Sequence, residues 1–180
     1  VLTDEPYFGG MVADLQAARA ATTLPCLRKD FTIDEIQVYE SRAIGADAIL
    51  LIVSAIRDDS LLADLHSLAV SLGLGVLVEA HDAHEVERAL QAGAHVVGIN
   101  SRDLSTFVED LGRATALSTS IPSAAIAVAE SAIRSADDSR RLAAAGFDAI
   151  LVGEALVRAD DPRALVRELA DAPVTRRSPA

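Results

Sequence analysis

The sequence predicts an α/β fold whose strands run parallel, and three observations lead there. Four segments repeat one order of helix-like stretch, glycine and apolar run: AIGADAILLIV (43–53), SLGLGVLVE (71–79), QAGAHVVGIN (91–100) and AAGFDAILVGE (144–154). The apolar runs are nearly continuous rather than alternating, as parallel strands covered on both faces require. Most of the strands end on a polar residue.

The elements follow in order. VLT (1–3) reads as the tail of a strand, and LPCLRKD (24–30) as another, introduced by Pro25. Strands then follow Gly45, Gly73 and Gly93. AAIAVAE (124–130) follows Ile121 and Pro122, and the last strand follows Gly146. Glycine belongs just past a helix end, where the chain passes through positive φ. The helices between are amphipathic, with Val12, Leu15, Ala18 and Arg19, then Ile36, Tyr39 and Ala43, then Leu61, Leu65, Leu68 and Leu72, then Val86 and Leu90 at three- and four-residue steps. Thr32 with Glu35, and Asp82 with Glu85, have the spacing of capping boxes. Asp58-Asp59 starts a helix whose dipole suits their charge. Asp161-Pro162 sets a cap and first-turn proline for a last helix ending near Ala170.

The count is about seven parallel strands. Strict alternation leaves an open doubly wound sheet or a closed (β/α)8 TIM barrel, and the barrel normally takes eight strands and about 250 residues. The expectation is therefore a (β/α)8 barrel lacking its first βα unit, over residues 1–171. Residues 172–180, with two prolines, two arginines and no apolar period, are expected to be a disordered tail.

Composition narrows the function. At 180 residues and 51% hydrophobic content the chain is one domain with a real core. With 27 Asp+Glu against 16 Lys+Arg and a net charge of −11, it lacks the basic face that nucleic acids and anionic membranes need. Aromatics at 3%, with no Trp, leave no platform for stacking bases. The single Cys26 excludes an internal disulfide framework and reads as a buried strand residue. No apolar run reaches the ~18 residues of a membrane span. A cytoplasmic protein acting on small molecules is expected.

In such folds ligands lie at the carboxyl ends of the strands. Those ends carry Lys29 and Asp30, Glu79, Asn100 followed by Arg102, Glu130 and Ser131, and Gly153 and Glu154. Each has a plain reading: ion-pair network, loop satisfaction or turn. Their convergence favours a functional mouth, because burying several charges without purpose is costly. The strand after Gly45 ends blandly at Val53-Ser54. His66, His81, His84 and His95 show no metal spacing beyond His81 and His84, which fall at a helix start and read as solvated.

VLTDEPYFGG (1–10), LPCLRKDF (24–31), GADAILLIV (45–53), LVEAHD (77–82), GINSRDL (98–104), AVAES (127–131) and ILVGEAL (150–156) together resemble indole-3-glycerol phosphate synthase, in order, over about residues 1–167. LRKDF and GINSRDL are the specific pair. The resemblance implies closure of 1-(2-carboxyphenylamino)-1-deoxyribulose 5-phosphate to an indole with loss of CO2 and water, a carboxy-lyase reaction of tryptophan biosynthesis with no metal and no organic cofactor. It implies that Lys29 is the general acid, that Glu79 serves proton transfer and that Asn100 orients the substrate. Arg102 and Glu130 would hold the polar network, and Ser131 the phosphoribulose side. Phe8, Phe31, Leu50, Leu104 and Leu151 would wall the anthranilate ring, while the backbone near Ala132, Gly153 and Glu154 would cradle phosphate.

Two departures stand out. Ala132 occupies a place where the family usually has glycine, and a Cβ there crowds a phosphate oxygen. The family also draws a glutamate, a lysine and a serine from strand one, and this chain shows none of them. The resemblance identifies VLT as strand two. The isolated chain is expected to be impaired and to self-associate through exposed sheet edges. A non-catalytic remnant or interaction module with the same core, and another phosphate-binding barrel enzyme, are the alternatives.

Overall fold

The computed structural model describes residues 1–102 and 110–174. The chain forms two compact units, Val1–Glu79 with Arg88–His95, and Ala80–Glu87 with Val96–Ala180. In the first, helices α1 (Glu5–Phe8), α2 (Val12–Ala21), α3 (Glu35–Ala43) and α4 (Asp59–Ser71) alternate with strands β1 (Leu27–Arg28), β2 (Ala48–Ile52) and β3 (Gly75–Ala80). The strands are parallel, Leu27 pairing with Ala48 and Ala48 with Gly75. Helix α5 spans Ala83–Gln91. The second unit holds β4 (Val96–Asn100), α6 (Leu111–Leu117), β5 (Ile126–Glu130), α7 (Ala136–Ala144), β6 (Ala149–Leu151), α8 (Glu154–Arg158) and α9 (Pro162–Ala170). Its strands are parallel too, Val96 pairing with Ile126 and Val128 with Ala149.

The predicted opening strand is smaller than expected. Leu2 makes a single parallel bridge to Lys29, and the chain turns into α1 directly after Asp4, with Pro6 in the first turn. Six of the seven expected strands are thus formed among the described residues, and the seventh is that bridge. Each unit has its own apolar filling: Leu15, Val38, Ile49, Leu51, Leu62 and Leu65 in the first, Val97, Ile99, Ala127, Ala129, Leu142 and Phe147 in the second.

The repeated glycine–strand grammar has a repeated bonding scheme beneath it. Gly45 and Gly146 leave their helices at φ 91° and 93°, a conformation in which any Cβ is strained. Two residues on, Asp47 donates its N–H to the Cys26 carbonyl at 2.9 Å while its carboxylate accepts the Cys26 N–H at 2.7 Å. Asp148 does the same to Ala127, both bonds at 2.9 Å. One aspartate thereby satisfies both backbone groups of a residue at the edge of the neighbouring strand, Cys26 just before β1 and Ala127 second in β5, which water would otherwise have to do. Arg19 adds an ion pair to Asp47 at 3.3 Å.

Helix starts follow the sequence at Asp58 and Asp161, whose carboxylates accept N–H groups of the first turn. Asp82 likewise accepts the Glu85 N–H, but Glu85 returns its carboxylate to the His81 N–H. The α3 box is not Thr32 with Glu35: Asp34 and Gln37 form it, and Thr32 is buried. The inward face of α3 also differs from expectation. Ile36 and Tyr39 point outward, whereas Val38 and Ser41 are buried, because the Arg28 guanidinium lies beneath and donates to Ser41 Oγ at 3.1 Å and to the Gln37 carbonyl. In α4 the buried set is Leu62, Leu65, His66 and Ala69. Burial lowers the His66 pKa and neighbouring His95 lowers it further. Arg88 on α5 donates to Asp59 at 2.6 Å and to the carbonyls of Val53 and Ile56, fixing the turn that leaves β2.

Asp148→Ala strands the Ala127 N–H at the start of a buried strand. It should lower unfolding free energy by roughly 1–3 kcal/mol, with Asp148→Asn losing less, read from urea midpoints at constant m-value.

Candidate functional site

In the first unit the polar strand ends meet. Glu79, near the end of β3, is 1% exposed, and the Lys29 ammonium lies 3.4 Å from its Oε2. A buried carboxylate without a partner would cost several kcal/mol. At that separation the gross attraction is about 5 kcal/mol at an effective dielectric near 20, which offsets much of that cost. Lys29 keeps part of its side chain open, at 27% exposure. A proton donor that is anchored to a carboxylate and still reachable is the arrangement general acid–base chemistry needs.

Three aromatic rings gather in the same unit. Phe8 and Phe31 stack with centroids 6.4 Å apart, and Tyr7 meets Phe31 edge-on at 6.1 Å. Phe8 and Tyr7 are exposed and Phe31 half-buried, so the rings offer flat apolar surface in the unit that holds Lys29, Phe31 lying two residues after it. Leu50 follows Ile49, the partner of Arg28, and is wholly buried in the core.

In the second unit Asn100 and Glu130 end adjacent parallel strands in register, and Glu130 in turn pairs with Leu151. Asn100 and Glu130 are buried; Leu151 is half-buried. Asn100 Oδ1 accepts the Arg102 N–H at 3.0 Å, fixing the turn after β4. Arg102 donates to Glu154 at 2.8 Å, and Arg158 lies 3.1 Å from the other carboxylate oxygen. The Arg102 hydrogen bond, then the charges of Arg158 and Arg102, hold the Glu154 carboxyl below its ordinary value. Gly153 caps the short helix α8. After β5 the chain takes φ 64° at Ser131 and 59° at Ala132, two successive side chains in the left-handed region. Leu104 lies outside the described residues. Among those residues no group of three or more His, Cys, Asp or Glu is placed to hold a metal, and no helix is long and apolar enough to cross a membrane.

A family model described as indole-3-glycerol phosphate synthase matches residues 1–169. The chain belongs to the indole-3-glycerol phosphate synthase family. The synthase of Albidiferax ferrireducens is 50% identical over 169 residues, covering 94% of this chain and 64% of the relative. That of Micrococcus luteus is 49% identical over 177 residues, covering 98% and 66%. The chain thus spans slightly less than two thirds of the length of these relatives. Among solved structures, 3-hexulose-6-phosphate synthase from Salmonella typhimurium superposes with a TM-score of 0.78 at 17% identity, over 94% of this chain and 83% of that one. This is a likeness of fold, and it places the chain among TIM-barrel-like α/β proteins.

Two features of this family member escaped the sequence reading. Of the 16 lysine and arginine residues, only Lys29 is a lysine. Arginine is effectively always charged, whereas lysine can give up a proton, so the one exception was a visible signal for proton chemistry. The second is Arg28, buried to 6% exposure, whose burial no local pattern announces.

The left-handed Ala132 costs roughly 1–2 kcal/mol relative to glycine. Ala132→Gly should therefore stabilise the protein by roughly 1 kcal/mol after the extra chain entropy of glycine is counted, seen as a raised denaturant midpoint. Because Glu154 is held below its ordinary pKa, its pair with Arg102 is complete above the usual carboxylate range, persists through that range, and is lost only as pH falls through the depressed value. Side-chain carboxyl NMR should show Glu154 titrating at lower pH than in an Arg102→Ala variant.

Proposed function

We propose that this protein catalyses the indole-3-glycerol phosphate synthase reaction, a carbon–carbon lyase step on a phosphorylated substrate in the cytoplasm. The observation that carries the reading is the family match over residues 1–169, joined to a sole lysine held against a buried carboxylate. As the carboxylated ring carbon adds to the ribulose carbonyl, negative charge develops on the carbonyl oxygen. The Lys29 ammonium supplies the proton there, and Glu79 holds the lysine in place until then. Loss of CO2 restores aromaticity. Departure of the hydroxyl as water needs a second proton transfer, which is the role assigned to Glu79.

The Phe8–Phe31 stack, with Leu50, suits a flat anthranilate ring. Asn100, Arg102 and Glu130 take the substrate-orienting roles, Ser131 the phosphoribulose side, and Leu151 an apolar wall. The loop at Ala132, with Gly153 and Glu154, takes the phosphate. Positioning supplies most of the remaining rate, since decarboxylation follows once the ring has closed.

Lys29→Ala and Lys29→Arg in the full-length protein should each lower kcat by roughly 10²–10⁴-fold, followed by indole fluorescence; Lys29→Arg keeps the charge but not the transferable proton. Near-normal turnover in Lys29→Ala overturns the assignment.

A further inference from the structure

Lys29 lies one residue beyond the end of β1, so the regular ladder that pairs Leu27 with Ala48 and Arg28 with Ile49 stops short of it. Its backbone is held from the other side. The Lys29 N–H donates to the Val1 carbonyl at 2.8 Å, and its carbonyl accepts the Thr3 N–H at 3.3 Å. In an extended segment successive side chains point to opposite faces. Arg28 and Asp30 therefore share the face opposite Lys29, and there they close a knot with Thr3.

The knot is tightly bonded. Thr3 Oγ1 donates to Asp30 Oδ2 at 2.6 Å and accepts from Arg28 Nε at 3.1 Å, and Arg28 Nη2 donates to the same Asp30 oxygen at 3.0 Å. Asp30 Oδ1 accepts the Phe31 N–H at 2.8 Å, which ties the aromatic shelf to the same group. Arg28 reaches on to Ser41 at 3.1 Å and to Glu40 at 3.6 Å. Thr3 and Arg28 are buried, so these bonds are made away from competing water.

We infer that the Thr3–Arg28–Asp30 knot is the positioning device for Lys29, setting where its ammonium stands against Glu79 and where Phe31 stands beside it. The kinetic part of this inference rests on the synthase reading; the structural part does not. Each member has a distinct task. Asp30 gathers Thr3, Arg28 and the Phe31 N–H at one carboxylate, Arg28 carries that point to α3, and the Thr3 hydroxyl closes the knot while the Thr3 backbone N–H grips Lys29 itself. None of the three side chains is assigned contact with substrate.

Thr3→Val keeps the shape and removes both hydroxyl bonds, whereas Thr3→Ser keeps them. Misplacement by about 1 Å can cost up to roughly 10²-fold in rate. Thr3→Val is accordingly expected to lower kcat about tenfold with KM changed less than about twofold, and Thr3→Ser to restore it. The second readout needs no turnover. In the 180-residue chain, whose single lysine is Lys29, the side-chain ammonium 15N–1H signal belongs to that residue alone. Thr3→Val should move it toward its position in Glu79→Gln, and Thr3→Ser should leave it in place. Should Thr3→Val fail to fold, Asp30→Asn is read in the same two ways. An unmoved ammonium signal with unchanged kcat overturns the inference, as does a loss in kcat that Thr3→Ser does not rescue. Absence of turnover in the unsubstituted full-length protein overturns the synthase reading, and the ammonium signal then decides the positioning role.

Discussion

A carboxylate buried at the end of a parallel strand is costly unless it is paired, and in this chain the Lys29 ammonium lies against Glu79. The lysine must come from a different strand, remain partly open and stand within a few ångströms, which sets demands on everything around it. β1 is only two residues long, so the segment carrying the lysine is fastened from behind by a charge pair and a threonine rather than by an extended ladder. The α3 face that meets this fastening turns Ser41 inward at the expense of two larger apolar residues. Helix packing in the first unit thus follows from where one charge has to be.

The paired aspartates show the same economy at lower stakes. Asp47 and Asp148 stand at equivalent places in two glycine–strand segments and make the same two bonds to the strand beside them. A strand with both backbone groups satisfied at its opening has its register pinned there, and the rest of its apolar run can be nearly featureless.

Much of the fold was legible because its punctuation is local. Positive φ at Gly45, Gly73, Gly93 and Gly146 and the caps at Asp58 and Asp161 are decided within a few residues, and the sequence shows them. The strand ends carrying Lys29, Glu79, Asn100 and Glu130 were readable for the same reason: a polar residue terminating an apolar run is itself a local pattern. The inward face of α3 was not, since it depends on a guanidinium arriving from β1. Nor was the shift of its cap from Thr32 to Asp34, because Thr32 has the right spacing but is buried. The left-handed pair at Ser131 and Ala132 left no trace in composition; a serine and an alanine say nothing about φ. The stacking of Phe8 on Phe31 joins segments separated by a whole helix, and no periodicity reports it.

The solitary lysine has a chemical consequence of its own. Electrophiles that select ε-amines, such as cyanate, acyl phosphates and reducing sugars, find one such target in this sequence, and it is partly open. Slow carbamylation or glycation would therefore concentrate on the residue that sits against Glu79, instead of spreading harmlessly over a basic surface. Chemical ageing in this chain would remove the charge that faces Glu79 while leaving the arginine-bearing surface untouched.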